Sequence, residues 1–377
     1  MKSEQCSWRV DKGWEIQSET VNCDLVQLVL VFGAHESLRK SEFPIYLKQR
    51  YPNALITGCS TAGEIQGACV LENSVVATAI QFEKTTIRAE YLNMAEYENN
   101  FIAGKRLIEN LEVDKLVHVM VFSKGLNVNG SELARGLSGS LVSGVKVTGG
   151  LAGDGADFRE TSVIWDGELC SDGVVAIGFY GKSLKVGYGT LGGWDSFGPE
   201  RLITSAEGSV LYELDDQPAL ELYKRYLGDD AADLPASGLL FPLSIRDSDN
   251  ESLVRTILAV SEEDQSITFA GEMRQGTYAR FMKANFERLI DGAVGAAQSS
   301  SALIDSSAEL AVLISCAGRK MVLQQRVEEE TEGVRSVLGD TTVLTGFYSY
   351  GELSPLLEES ECKLHNQTMT ITTFKEI

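Results

Sequence analysis

A nine-residue phrase recurs at opposite ends of this chain and constrains its fold more than any other feature. It reads Thr57-Gly58-Cys59-Ser60-Thr61-Ala62-Gly63-Glu64-Ile65, then Thr345-Gly346-Phe347-Tyr348-Ser349-Tyr350-Gly351-Glu352-Leu353, each after an apolar run. A looser copy, Val147-Thr148-Gly149-Gly150-Leu151-Ala152-Gly153-Asp154, lies between them. Repetition at this scale means that one supersecondary unit is used more than once.

The flanks of the three copies share one order of elements. In the first, residues 25–32 have the pattern of a buried strand, a loop follows at Gly33-Ala34-His35, and a helix is predicted over 41–51, stopped by Pro52. Residues 54–56 form the next strand and end in the Thr-Gly phrase, read as a loop. The second unit runs strand 116–122, loop 123–130, helix 131–141 and strand 145–147; the third runs strand 310–314, loop 315–320, helix 325–338 and strand 342–344. Runs rich in Val, Ile, Thr and Phe at 74–82, 173–180 and 367–374 close the units as strands. A strand-helix-strand start favours a parallel pair, to which the last strand adds antiparallel. The expectation is an α/β fold of two domains, with mixed sheets built from repeated strand-helix-strand-loop-strand units.

The middle of the chain departs from this order. Residues 184–191 read as a strand, 192–199 as a glycine-rich loop, 202–204 and 210–214 as short strands, and 218–227 as a helix stopped at Gly228. Acids at Asp229, Asp230, Asp233, Asp247, Asp249 and Glu251 mark solvated loops. The domains are drawn at 23–212 and 213–377.

A net charge of −21 disfavours nucleic acid and anionic membrane surfaces as partners. Seven scattered cysteines without a Cys-x-x-Cys pair fit reduced thiols. The first residues lack the apolar stretch of a signal peptide, and the longest apolar run, 25–34, is too short to span a bilayer. A soluble, cytoplasmic protein is expected.

Several chemical motifs fail on inspection. Gly187-Tyr188-Gly189-Thr190-Leu191-Gly192 matches a dinucleotide pattern but precedes another glycine loop and Pro199 rather than a helix. Gly181-Lys182-Ser183 lacks the leading glycine of a phosphate loop and reads as a hairpin turn. Gly58 to Gly63 would need glycine at Ala62 to form a nucleophile elbow. The phrase from Asp247 has Ser252 and Leu258 where a calcium loop needs Gly and Glu. The three histidines form no metal-type pair. Cys59 and Cys316 follow strands, where a low-pKa thiol paired with Glu64 or Glu352 would suit an enzyme. Small packed thiols explain the cysteines more simply, carboxylates capping backbone N–H groups explain the glutamates equally well, and a non-catalytic protein is expected.

Taken together, the first phrase, Gly149–Asp154, Gly193-Trp194 with Phe197-Gly198-Pro199, and Leu211–Asp215 with Pro218-Ala219-Leu220 resemble the FIST N-terminal domain. Phe241-Pro242-Leu243, Phe269-Ala270-Gly271, Gly346–Glu352 and Leu364-His365-Asn366-Gln367-Thr368 resemble the FIST C-terminal domain. The resemblance implies a bacterial sensory module that binds a small ligand, such as an amino acid or other metabolite, and signals to a partner protein. As a chain without an attached signalling domain, it is similar to the nitric-oxide-sensing haem proteins of that family, which act on a histidine kinase. Haem would need an axial ligand, for which His365 is the first candidate and His35 the second; His118 lies in an apolar strand and reads as core. The ligand-binding candidates are Thr57, Gly58, Cys59, Ser60, Gly63, Glu64, Gly149, Gly150, Gly153, Tyr348, Tyr350, Gly351 and Glu352. A cysteine-dependent enzyme and a scaffold without ligand are the competing readings.

Overall fold

The computed structural model describes residues 1–17, 20–246 and 251–377; Asp247 and Asp249, with the start of the calcium-loop phrase, lie outside them. Each expected unit forms a parallel pair flanked by an antiparallel third strand. Leu28–Gly33 lies between Leu55–Ser60 and Ser74–Gln81. Leu116–Ser123 takes the same place between Lys146–Leu151 and Gly173–Tyr180, as does Leu310–Cys316 between Val343–Ser349 and Met369–Glu376. Their registers correspond: Leu30 pairs with Thr57 and Thr78, Met120 with Thr148 and Ile177, and Val312 with Thr345 and Thr372. Mixed α/β sheets are therefore present as expected.

The units are interlocked by exchanged strands. Glu64–Gln66 leaves the first unit to pair with Val343–Ser349 of the third, Gly351–Pro355 leaves the third for Lys146–Leu151, and Val163–Trp165 leaves the second for Leu55–Ser60. On the opposite edges, Thr86–Asn93 joins the second sheet and Leu184–Leu191 the third, while the N-terminal strand Lys2–Arg9 closes the ring on Ser74–Gln81. The chain ends meet there. Glu376 accepts hydrogen bonds from the backbone N–H groups of Glu83, Lys84 and Thr85 and stands 3.2 Å from the Met1 amino group.

Four local expectations are altered. The Thr-Gly phrases are strand through Ser60, Leu151 and Ser349, and only short turns separate them from the exchanged strands. Gly181-Lys182-Ser183 is a crossover rather than a hairpin turn, because the strands on either side lie in different sheets. His35, placed in a loop, opens the helix His35–Lys40, and Ala317–Leu323 is a helix where a loop was expected.

All three sheets turn one face to a common core. Phe32, Phe122 and Phe347, one from each unit, meet there with ring centroids 4.8, 5.5 and 6.0 Å apart. Cys59 packs in the same cluster with no exposed surface, as a small core residue. The shared apolar face explains why no unit stands alone: separated, each would expose it to water.

Between Leu184–Leu191 and the helix Phe286–Ala302 the chain builds an eight-stranded antiparallel sheet, running from Asp195–Glu207 to Tyr278–Lys283. Its core packs Leu211, Tyr223, Phe269 and Phe281. The 212/213 division falls inside its strand Val210–Leu214. Phe286–Ala302 then returns to pack on the third sheet. There a Cβ at Gly187 would lie 1.9 Å from Ser300 O, and one at Gly189 2.3 Å from Ala296 O. Close helix-to-strand contact thus accounts for the dinucleotide-like glycines.

Candidate ligand-binding site

The carboxyl ends of the second and third parallel pairs open toward the inserted sheet, and a cavity of about 900 Å³ lies between them. Open α/β sheets hold ligands at this end of their strands. The second unit supplies residues 125–130, Leu151 and Phe158; the third supplies Cys316, Ala317, Gly318, Met321, Ser349 and Tyr350. The inserted sheet closes the other side with Ser209, Thr256, Ile257, Phe269, Ala270, Gly271 and Glu272, helped by Leu239.

Local structure fixes these walls. Asn129 caps the helix Gly130–Ser138 by accepting from Glu132 N, which sets the end of the 125–130 loop. Tyr350 N donates to Leu151 O, and the Tyr350 ring stacks on Phe158 with centroids 4.5 Å apart. Phe158 is 47% exposed, so the stacked pair stands at the solvent edge of the cavity.

Behind the wall, Arg319 and Glu330 are both fully buried and joined at 2.8 Å. Arg319 also donates to Gly192 O and Leu289 O, while Glu330 accepts from Ser315 Oγ and Tyr348 Oη. This network anchors the Ala317–Leu323 helix, which carries part of the wall. Gln367 is buried with no hydrogen-bond partner for its amide among the described residues, and it stands directly behind Gly318.

The three Thr-Gly copies converge, but on one another. Ser60 Oγ donates to Gly153 O, Gly153 N to Ser60 O, Tyr348 N to Gly63 O and Ala62 N to Tyr348 O. Thr57, Gly58, Gly149, Gly150 and Gly351 are likewise buried in paired strands. Among the expected ligand residues, Tyr350 lines the cavity. The inserted-sheet residues on the opposite wall escaped sequence reasoning because an apolar cavity wall has the pattern of a core strand; the Phe269-Ala270-Gly271 phrase was the available signal.

Glu64 and Glu352 have identical roles. Each accepts from the hydroxyl three residues before it, Thr61 or Ser349, and from the backbone N–H and hydroxyl of Ser74 or Thr368. Burial pushes their carboxyls up, to about 7 for Glu64 and about 8 for Glu352, against partial relief from these bonds and from Lys320 and Arg319 respectively. An acid that holds its proton more tightly when folded adds stability that is full below its unfolded pKa, about 4.3, and is lost as pH rises through the folded value. Melting temperature is therefore expected to fall between pH 5 and pH 9. The double variant Glu64→Gln/Glu352→Gln, whose amides can donate to the same hydroxyls, should flatten that slope; an unchanged slope would exclude these groups.

The remaining candidates lie off the cavity. His35 Nε2 is 3.3 Å from Glu160 and its Nδ1 faces Ser162 Oγ, while His365 Nε2 faces Ser354 O at 2.9 Å. His118 is core, as expected, bonded to Thr148 Oγ1, and burial pushes it down to about 3. Among the described residues, no group of three or more His, Cys, Asp or Glu assembles as a metal site. No helix among them is long and apolar enough to cross a membrane.

Comparison with known proteins places this architecture. Residues 27–217 match the FIST N domain and residues 219–355 the FIST C domain. The chain belongs to the FIST family. FIST domains are associated with small-ligand sensing and signalling. An uncharacterized protein of Methanocaldococcus jannaschii is 25% identical over 312 residues, covering 76% of this chain; the FIST chain spans 59% of that relative's length. A crystal structure of cyanuric acid hydrolase from A. caulinodans aligns with 94% of this chain and 91% of its own at 8% identity, with a TM-score of 0.35, too distant to bear on function.

The resemblance implied haem for this FIST protein, and neither of the axial candidates, His365 and His35, lines the cavity. Among the described residues no histidine lines the wall; its phenol, thiol and thioether belong to Tyr350, Cys316 and Met321. Burial pushes Tyr350 up to about 12 and the Cys316 thiol well above its ordinary value, so both carry their protons at neutral pH in the metal-free protein.

Proposed function

We propose that this FIST protein is a non-catalytic sensor whose small ligand occupies the cavity between the interlocked sheets and the inserted sheet. The observation that carries this reading is the position of the cavity, which joins the strand ends of two units to a third, separately cored element. A ligand that touches all three favours one arrangement of them over another, and that differential affinity is what a partner protein, for example a histidine kinase, would read. Burial raises both the Cys59 and Cys316 thiols, which weighs against their use as nucleophiles in an enzyme. Haem-based nitric oxide sensing would have to use His365 or His35 outside this cavity, and no observation favours it.

The test is a thermal-shift screen of small metabolites against wild type and Ala270→Trp, which places an indole in the cavity. A true ligand present at a hundredfold excess over Kd stabilises by about 2.7 kcal/mol. The shift should vanish in Ala270→Trp while the unliganded melting temperature stays near wild type. Ligands that stabilise both proteins equally would place the site elsewhere.

A further inference from the structure

Resting on that cavity as the ligand site, we propose that its ligand carries a planar aromatic or heteroaromatic ring that stacks on Phe158 at the cavity mouth. The first support is the geometry of the aromatic pair. Phe158 and Tyr350 lie nearly parallel, with an interplanar angle of 13° and centroids 4.5 Å apart. Each ring therefore covers one face of the other, and what remains exposed of the Phe158 ring is its edge and its outer face. Both residues line the cavity, so a flat ring entering there adds a third layer to the stack.

The second support is the backbone that holds Phe158. Its φ is 53°, in the left-handed region, where a bulky side chain is an outlier. The loop around it over-determines that conformation. Asp154 accepts from the backbone N–H groups of Arg159 and Glu160, Asp157 N donates to Asp154 O, and Gly155 N donates to Thr61 O. Strain kept in place by its surroundings clusters at ligand clamps. Shielding Tyr350 is the bland role for Phe158, but an aliphatic residue with an ordinary backbone would shield it as well. Phe158 is instead left 47% exposed.

The third support is what else the lining presents. Leu258 of the inserted sheet is 48% exposed and lines the cavity from the opposite wall, so apolar surface is available on both sides. A ring face also attracts cations. The positive ends of two helices, Gly130–Ser138 and Ala317–Leu323, reach the same lining and weigh against a cation. Glu272, the one acid among the described lining residues, is already paired with Arg135. Neutral and anionic substituents are both accommodated, and the aromatic pair selects for the ring rather than for its charge.

Matched probe pairs test ring and cavity separately. Naphthoate and naphthylmethanol are flat; their decahydro counterparts keep the skeleton and the charge but have no aromatic face. Area burial alone would favour the bulkier saturated skeleton, so the sign of the preference is diagnostic. In ligand-observed NMR titrations of wild type, each flat probe should bind about two- to tenfold more tightly than its saturated partner, the range of an aromatic pair beyond its area. Phe158→Leu, at an exposed position with little risk to folding, should remove that preference and leave the saturated probes within about twofold. Ala270→Trp should exclude every probe. If the probes bind Ala270→Trp as they bind wild type, or none binds wild type saturably, the cavity reading itself fails. If Ala270→Trp excludes them yet flat and saturated partners bind alike, the preference is confined to one pair, or it survives Phe158→Leu, the cavity stands and stacking on Phe158 is overturned.

Discussion

Gly346→Ala is expected to abolish the native fold. A Cβ at this position would lie 1.8 Å from Leu313 O and 2.7 Å from the carbon of the same carbonyl, both backbone atoms of the paired strand. No rotamer change relieves a Cβ clash, so the strands would have to separate at the centre of the third sheet. Gly58 and Gly149 face Val31 O and Val121 O at 1.8 and 1.9 Å in the other two sheets, and the same result is expected at each. The loss should exceed about 4–5 kcal/mol, the range reserved for severe local disruption. Gly339→Ala is the control, since nothing lies within 4 Å of its Cβ, and it should cost about 1–3 kcal/mol for a positive-φ, extended backbone that only glycine adopts readily. Soluble yield and far-ultraviolet circular dichroism would read the difference. A soluble, cooperatively melting Gly346→Ala would show that the carbonyl contact is not needed.

Glu330→Ala should produce the second-largest effect. It strands the fully buried Arg319 guanidinium and also removes the acceptor for Ser315 and Tyr348. Breaking one side of a buried ion pair costs about 3–5 kcal/mol. Because Arg319 also holds Gly192 O and Leu289 O, the double variant Arg319→Met/Glu330→Leu should recover only part of that loss. Chemical denaturation of the two variants checks both statements. A single variant within about 1 kcal/mol of wild type would mean that water or a shifted side chain replaces the carboxylate. The anchored helix lines the cavity, so the single variant should also weaken the binding of ligands found by the thermal-shift screen.

The sheet strands were legible in the sequence because their signal is local. Runs such as Leu116–Ser123 and Gly173–Tyr180 are almost entirely apolar, as strands covered on both faces tend to be. The helix at His35 was missed because Gly33 precedes it and it spans only six residues, too few for a periodic signal. Glu64 and Glu352 were rightly paired by position, and capping a tight turn was among the roles weighed for them. The cavity was not legible. Ile257 and Phe269 belong to strands whose local pattern does not distinguish a core neighbour from an empty space, and Tyr350 was reached through the repeat rather than through the wall it forms.

The repeated Thr-Gly phrase therefore determined, from sequence alone, that one strand-helix-strand unit is reused and that its sheets are mixed. Tertiary structure decided what the phrase is for. Its glycines admit a neighbouring backbone, and its Gly-Glu end sends the next strand into another unit's sheet. A strand ladder binds through backbone groups that every residue carries, so no local pattern names its partner. Where those exchanged strands leave the sheet ends facing the insert, the cavity forms, and that juxtaposition exists only in three dimensions.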